Sequence, residues 1–478
     1  MGILLFAVTA LCSIGYHHPD EHFQIIEFAQ HKLVGTPLRE LPWEFHNRIR
    51  PGLQPMLAAV FFKSCRAAGL ADPFWQIALL RFCTGLLALF VFARMSRQLR
   101  ADFSGPTTHV WLAAMLVGLW FMPYLSVRFS SENLAGLAFL AGIFGLLRAT
   151  NGRASSWMFA AGMGFGLAFC FRFQMAFAVG GTVAWLFFVR KTPPVQLAAL
   201  ALGGLAALGV GIGADHWLYG EWVCTAYNYF AANILENKAA EWGTAPVWFY
   251  PLEFVGQAAP PVSLLLLGLG AAGFWRQRRH VLAWSFAAFL LAHSVVGHKE
   301  MRFMFPMLLP FLFFVASGWE TWRGVLAAQK WQRVALRVCL AVNCILLIFR
   351  CLMPAHESVA YLRYLYRRAE ASAENSILVY AEKSAPHKAV GLPMNFYRHP
   401  KLEFRVAQRF VRLRRKADEL PPKFLYISQK LVLRDSLPGY GHRRVYTFFP
   451  DWILGLNVND WQSRSRVYSV HEIEKLGN

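Results

Sequence analysis

Charged side chains are scarce in this chain. Asp, Glu, Lys and Arg make up 16% of the 478 residues, whereas 56% are hydrophobic and 15% are aromatic. A soluble domain carries about 25% charged residues. This scarcity excludes an ordinary soluble domain and indicates residence in a bilayer.

Signatures of metal, disulfide and nucleotide sites are also missing. The eight cysteines are scattered and form no Cys-x-x-Cys pair, so neither a disulfide framework nor a zinc site is indicated. No Gly-rich loop follows a strand and no Walker-type Gly-Lys-Ser/Thr occurs. The sequence therefore shows no phosphate-binding loop for a soluble nucleotide sugar. We expect no cofactor and no bound metal.

Basic residues exceed acidic ones and give a formal net charge of +21. They stand largely at the ends of apolar segments, as Arg97, Arg190 and Arg278 do. Such placement sets membrane topology and is not the footprint of a nucleic-acid partner.

Apolar stretches of spanning or near-spanning length recur along the chain and predict an all-α polytopic membrane protein with about eleven transmembrane helices. Residues 1–16 lack the basic start and the cleavage site of a signal peptide, so we treat them as a first membrane helix. The stretches lie near residues 3–16, 74–94, 107–124, 132–148, 155–171, 174–190, 195–214, 258–275, 280–297, 302–318 and 333–350.

If the first helix runs outward, the short loops rich in Lys and Arg lie on the cytoplasmic side, as the positive-inside rule requires. The non-cytoplasmic side then receives outer loops 17–73 and 215–257, and the tail 351–478. Within the first loop, residues 53–70 predict a helix lying in the interface plane. The tail is charged and has short β-like runs at 377–380, 424–427 and 445–449. We therefore predict a membrane catalytic domain over 1–350 and a small α/β extracytoplasmic domain over 351–478.

A dense group of titratable side chains, residues 17–24, follows the first predicted helix. A carboxylate here can act as a general base toward a sugar hydroxyl; a solvated cap on a helix end is the alternative. His18 and His22 have the spacing of a helical metal site, but Pro19 and the position just past a helix favour a loop. The adjacent Asp20 and Glu21 are a weak signal for a cation.

A second group, residues 298–303, lies at the outer end of the ninth predicted helix. Lys299 and Arg302 in a tight turn suit a phosphate leaving group, because Arg offers paired donors and the interface weakens screening. Snorkelling to the interface is the alternative, but positive charge on this side runs against the orientation bias. Nearby, Arg128 and Glu132 begin the fourth helix, and Arg172 lies at another outer turn. Helix capping or an Arg172–Glu132 ion pair would explain these residues without a ligand.

These motifs, in this order, resemble the dolichyl- or polyprenyl-phosphate-mannose-dependent mannosyltransferases of glycosyltransferase family 22, which have the multi-spanning GT-C fold. The residues that carry the resemblance are 18–24, 42–44, 49–50, 130–133, 228–229, 246–250 and 298–303 with Pro306. Met301, Pro51 and Phe230 depart from the family pattern, so the resemblance does not define the specificity for the acceptor.

The resemblance implies an inverting enzyme that moves mannose from a polyprenyl-phosphate-mannose donor to a lipid-linked glycan or glycolipid acceptor among membrane lipids. It implies Asp20 as the catalytic base with Glu21 as its partner, and His298, Lys299 and Arg302 as the donor phosphate site. Together with the charged residues at the outer turns, it leads us to predict as further substrate-binding residues His18, Gln24, Trp43, Glu44, Arg50, Arg128, Glu132, Arg172, Asn228, Trp248 and Glu300.

Two alternatives remain: a GT-C transferase that uses another lipid-phosphate sugar, and a lipid or sugar transporter. Transporters place charges near the bilayer midplane and show repeats, whereas the polar groups here lie at one face. The chain contains no Asn-x-Ser/Thr sequon, so we expect a bacterial plasma (inner) membrane, or the endoplasmic reticulum membrane if the protein is eukaryotic.

Overall fold

The computed structural model describes residues 2–149, 153–381, 387–407, 410–413, 420–431, 433, 437–464 and 467–476. Apolar helices form most of it, followed by a small sheet. The helices of at least eleven residues are α1 Gly2–Cys12, α2 Leu53–Ala67, α3 Pro73–Gln98, α4 Thr108–Gly118, α5 Ser131–Arg148, α6 Ala154–Phe171, α7 Met175–Phe188, α8 Pro194–Tyr219, α9 Val262–Arg276, α10 Val281–Val295, α11 Leu308–Leu326, α12 Lys330–Leu352 and α13 Glu357–Ala371.

Each of the eleven predicted membrane stretches overlaps one of these helices. In the described part of the chain, five helical stretches are long and apolar enough to cross a membrane, and five shorter apolar helices have 10–17 residues. The polytopic all-α architecture is therefore confirmed. Shorter spans require neighbouring helices or a locally thinner bilayer.

Helices α9 and α11 pack with their backbones in close contact. A Cβ on Gly273 would lie 1.8 Å from the carbonyl oxygen of Phe314, and one on Gly318 would lie 2.0 Å from that of Leu269. Small residues permit this approach. In lipid, apolar helices have no hydrophobic driving force to associate, so close packing of this kind stabilises the pair. The pair holds α11, whose outer end adjoins residues 298–303, against the bundle.

The outer segment after α1 is helical from Pro19, so the prediction of a loop around His18 and His22 is wrong. A short helix, Pro19–Glu21, continues through a π-helical turn, His22–Ile26, into the helix Glu27–Val34. The reason is local: His18 Nδ1 accepts the Asp20 N–H at 3.3 Å, and proline at the first helical position needs no N–H partner. The helix α2 occupies most of the predicted 53–70 stretch.

Short helical elements lie between the longer helices. They are Leu38–Glu40 and Trp43–His46 in the first outer loop, Met122–Ser126 before α5, and Thr225–Phe230, Ala231–Leu235, Lys238–Trp242 and Phe249–Gln257 in the second outer loop.

The C-terminal region carries the sheet. Its strands are β1 Ile377–Ala381, β2 Lys388–Ala389, β3 Leu392–Pro393, β4 Leu402–Val406, β5 Lys423–Ser428, β6 Tyr440–Thr447 and β7 Ser469–Lys475. Strands β4-β1-β5-β7-β6 form one mixed sheet; β1 pairs in parallel with β4 and β5, and β7 pairs antiparallel with β5 and β6. The three predicted β-like runs overlap β1, β5 and β6, while β4 and β7 were not predicted.

A turn from this region, Asn395–Tyr397, inserts against the outer segment. The Phe396 N–H donates to Glu27 Oε1 at 3.0 Å. The Tyr397 ring stacks on His22, with centroids 5.3 Å apart, and also contacts Phe74 at 5.0 Å. The sheet region thereby touches the helix that continues from Asp20.

Candidate active site

The two predicted polar groups meet at Arg302. Its guanidinium contacts carboxylates from three separate segments: Asp20 Oδ2 at 2.9 Å, Glu300 Oε2 at 2.6 Å and Glu132 Oε1 at 3.3 Å. Arg302 lies in a 3₁₀ turn, Met301–Met307, that leads into α11. Folding thus joins residues that are 282 positions apart in sequence.

Asp20 is ionised at neutral pH. Burial alone would raise its pKa, but Arg302, the neighbouring His18 and the charge of Arg50 hold that pKa well below its ordinary value. Arg50 Nη2 lies 3.8 Å from Asp20 Oδ2, and His18 Nδ1 lies 3.3 Å from Oδ1. The ionised form is the one that can accept a proton.

Glu21 has a different environment from its neighbour. Burial raises its pKa, although Arg128 and the His17 N–H oppose the rise. The His17 N–H donates to Glu21 Oε2 at 2.9 Å, and Arg128 Nη1 lies 3.8 Å from Oε1. Arg128 is also fixed structurally, since it donates to the carbonyl oxygens of Gly15 and Ser13, both at 2.7 Å.

Glu300 organises residues 298–303. Burial opposes its ionisation, but hydrogen bonding and charge from Arg302 lower its pKa to about 2. His298 Nε2 lies 3.1 Å from Glu300 Oε1, and His18 Nε2 lies 3.5 Å from Oε2. The Lys299 ammonium instead donates to backbone carbonyls, among them those of Ala245 at 2.7 Å and Val296 at 2.5 Å.

Further predicted residues form the walls of the site. Gln24 Nε2 donates to Glu44 Oε1 at 3.0 Å, and Arg50 Nη2 lies 3.7 Å from the same oxygen. Arg172 Nη1 lies 2.9 Å from Glu132 Oε1, the ion pair anticipated from the sequence. The Ser130 hydroxyl accepts the Asn133 N–H at 3.3 Å and caps α5.

Three predicted substrate residues have their contacts elsewhere. The Trp43 ring lies beneath Lys238 Nζ at 5.6 Å, Asn228 Nδ2 donates to the Arg48 carbonyl at 3.2 Å, and Trp248 is 61% exposed. Tyr229, which sequence reasoning did not select, faces the site: its ring lies 5.7 Å from Arg50 Cζ. Its one signal was the position beside Asn228 in an aromatic segment.

Two clefts flank the carboxylates and share Glu21 and Glu132. One, of about 500 Å³, is lined by polar groups including Asp20, Arg50, Arg172 and Tyr229. The other, of about 630 Å³, has Arg302 and His18 at its polar side and runs along Leu137, Leu140 and Leu309 of α5 and α11. The arrangement can hold a polar ligand on one side of Asp20 and an apolar chain on the other. Within the described residues, no group of three or more His, Cys, Asp or Glu side chains is placed to hold a metal ion.

Known proteins resemble this chain in both sequence and fold. A family model described as the Alg9-like mannosyltransferase family matches residues 2–404. GPI mannosyltransferase 3 of Yarrowia lipolytica is 28% identical over 65% of this chain and 59% of that protein. Mannosyltransferase APTG1 of Arabidopsis thaliana is 26% identical over 63% of this chain and 54% of that protein. The chain thus spans less than two thirds of the length of these two relatives.

More distant likenesses extend over most of the chain. GPI alpha-1,2-mannosyltransferase 3 of Homo sapiens is 21% identical over 80% of this chain and 68% of that protein. Crystal structures of ArnT from Cupriavidus metallidurans, in the apo state and bound to undecaprenyl phosphate, superpose with TM-scores of 0.52 and 0.51 at 13% identity. Each superposition covers 98% of this chain and 96% of the other. At this identity the likeness establishes the GT-C fold alone.

Proposed function

The chain belongs to the Alg9-like mannosyltransferase family, and from that premise we propose that it transfers mannose from a polyprenyl-phosphate-mannose donor to a lipid-linked glycan or glycolipid acceptor on the non-cytoplasmic face. The observation that carries the proposal is the 2.9 Å contact between Arg302 and Asp20. It places a cation suited to phosphate beside a carboxylate suited to a hydroxyl proton.

The proposed reaction is a single displacement. The acceptor hydroxyl oxygen forms a bond to the anomeric carbon, the bond from that carbon to the phosphate oxygen breaks, and polyprenyl phosphate leaves with the electron pair. Asp20 takes the hydroxyl proton, and Arg302 with His298 stabilises the leaving phosphate. A donor phosphate that draws Arg302 toward itself would weaken the pair with Asp20 and so raise the basicity of Asp20 as the substrate binds.

The two clefts support this assignment of ligands. The apolar cleft along α5 and α11 includes Arg302 in its lining and can take the polyprenyl chain with its phosphate at that residue. The polar cleft with Arg50, Arg172 and Tyr229 can take the acceptor sugar. ArnT, which shares the fold, has been crystallised with undecaprenyl phosphate. The relatives named as GPI mannosyltransferases favour a glycolipid acceptor.

Lys299 and Glu21 have supporting roles in this proposal. The Lys299 ammonium lies on the Ala245 carbonyl of the second outer loop, so it holds the turn that presents Arg302. Glu21 connects the two clefts and orients the backbone at His17. The membrane is the bacterial plasma membrane, or that of the endoplasmic reticulum in a eukaryote.

The test is transfer of radiolabelled mannose from polyprenyl-phosphate-mannose into the lipids of membranes that contain the protein. Asp20→Asn keeps the shape of the side chain but removes the base, and we expect transfer to fall by about 10²- to 10⁴-fold. Asp451→Asn, at an exposed position in the C-terminal region, is the matched control and should transfer at the wild-type rate.

Full transfer by Asp20→Asn would remove Asp20 as the base. If wild type transfers label only from another lipid-linked sugar, the donor assignment fails while the reaction class stands. If no sugar donor yields product, the transferase proposal itself fails.

A further inference from the structure

A second pocket lies away from the clefts around Asp20. It offers about 530 Å³ of space, part of it open to solvent, between the outer end of α1, the start of α3, and α13. Its polar lining is basic and its other walls are apolar or aromatic; it includes Arg81, Arg363, Arg367, Phe74, Trp75 and Tyr397. It has no lining residue in common with either cleft of the candidate active site.

The deepest cation in this pocket is Arg81, which is 3% exposed. Its Nε donates to the Ala10 carbonyl at 2.8 Å and its Nη1 to the Gly15 carbonyl at 3.5 Å. These carbonyls fix the guanidinium, and Glu21 attracts it, but no carboxylate of the described residues lies within 4.0 Å of it. A buried charge without a directly paired counter-ion is costly, and an anionic ligand in contact with it would offset that cost.

The two other arginines lie on α13, four residues apart and hence on one face of the helix. Arg367 Nη2 pairs with Asp72 Oδ2 at 2.9 Å. For Arg363, the described part of the chain supplies no carboxylate within 4.0 Å. Three guanidinium groups therefore line the pocket with one carboxylate paired to them, and the local charge favours an anion with several oxygens.

The rest of the pocket suits an apolar chain. Leu11 on α1 and Trp75 on α3 are 47% and 45% exposed, and Ile14, Ile77 and Ala78 continue the apolar wall. In the predicted orientation these residues lie at the non-cytoplasmic ends of two membrane helices. Tryptophan is enriched at this interface, where lipid headgroups meet acyl chains.

We propose that this pocket binds the phosphate of an amphiphile from the outer leaflet, with the phosphate between Arg81, Arg363 and Arg367 and the chain along α1 and α3. The site is separate from the proposed donor site and does not depend on the transferase reaction. Its ligand class is a phosphate-bearing lipid with a net negative headgroup, because the basic groups outnumber the single acidic one.

The experiment uses the full-length protein in detergent micelles and a phosphatidic acid whose acyl chain carries a photoactivatable diazirine. After irradiation, peptides that carry the label are identified by mass spectrometry. We expect labelling of residues near Leu11 and Trp75, reduced by excess unlabelled phosphatidic acid and not by phosphatidylcholine. Arg363→Gln with Arg367→Gln should weaken labelling at these peptides by about tenfold or more, since each lost contact is charge-assisted.

Two variants keep the test interpretable. Arg363→Gln alone breaks no ion pair of the described structure, so it should reduce labelling without unfolding the protein, which gel filtration checks. Arg405→Gln, on β4 at an exposed site, should label as wild type does. Wild-type labelling in the Arg363 and double variants, or equal competition by phosphatidylcholine, would overturn the proposal. Inorganic phosphate that competes as well as phosphatidic acid would show a phosphate site without lipid selectivity and would also overturn it.

Discussion

Removing the charge of Glu300 should destabilise the protein at neutral pH, and the effect should shrink in acid. The pKa of Glu300 is about 2 in the folded protein, below its ordinary value of 4.5. A depressed pKa means that the charge stabilises the fold above pH 4.5, and that this stability is lost as the pH falls toward 2. At about 1.4 kcal/mol per pH unit the contribution is at most about 3 kcal/mol at pH 7 and about 1.4 kcal/mol at pH 3.

Glu300→Gln should therefore unfold several degrees below wild type at pH 7, and the gap should narrow by about half at pH 3. The assay is thermal unfolding of both proteins in the same detergent, followed by tryptophan fluorescence. Glu403→Gln removes an exposed carboxylate 3.8 Å from Arg405 and should change neither midpoint. Equal midpoints for Glu300→Gln and wild type at pH 7, or a gap that does not narrow in acid, would refute the reasoning.

Two further substitutions test the framework around the site. Gly273→Val would place a Cβ 1.8 Å from the Phe314 carbonyl oxygen and should lower the yield of monodisperse protein in size-exclusion chromatography; Gly268→Val on the same helix meets no atom within 4 Å and should leave the yield unchanged. Glu27→Gln weakens the contact with the Phe396 N–H and should speed limited proteolysis near that turn, whereas the exposed Glu374→Gln should not; equal cleavage of both would contradict the docking role of Glu27.

The membrane helices could be predicted because length and apolarity suffice to define them. The stretch predicted at 74–94 is the helix Pro73–Gln98, which begins where Asp72 accepts the N–H groups of Phe74 and Trp75. Strand β7 was not predicted because its sequence, Ser469–Lys475, contains His471 and Glu472 and does not read as a buried strand. Glu472 is nonetheless buried, since Arg443 from β6 pairs with it at 3.0 Å, and this compensation cannot be read from the strand itself.

The sequence identified most of the side chains that meet in the candidate site, but it did not show which of them contact one another. Asp20 and Arg302 stood out because each follows or precedes a membrane helix on the same face, but nothing in the spacing showed that they would touch. The Lys299 ammonium, predicted to bind a phosphate, donates to carbonyl oxygens in this structure; the sequence did not show these contacts, because side-chain direction within a tight turn depends on tertiary neighbours. Tyr229 was passed over for Asn228, since an aromatic loop without a clear period does not reveal which residue faces inward.

The C-terminal region bears on the proposed chemistry through a buried carboxylate. Glu27 is 1% exposed, and its Oε1 faces His22 Nε2 at 2.9 Å and accepts the Phe396 N–H at 3.0 Å. The first partner lies two residues after Asp20 and the second lies in the C-terminal region. A buried carboxylate that loses a donor is strongly destabilised, so the turn Asn395–Tyr397 and the segment that carries Asp20 favour each other's conformation. The same region contributes Arg363, Arg367 and Tyr397 to the second pocket, so a lipid bound there would contact the turn that packs against the segment carrying Asp20.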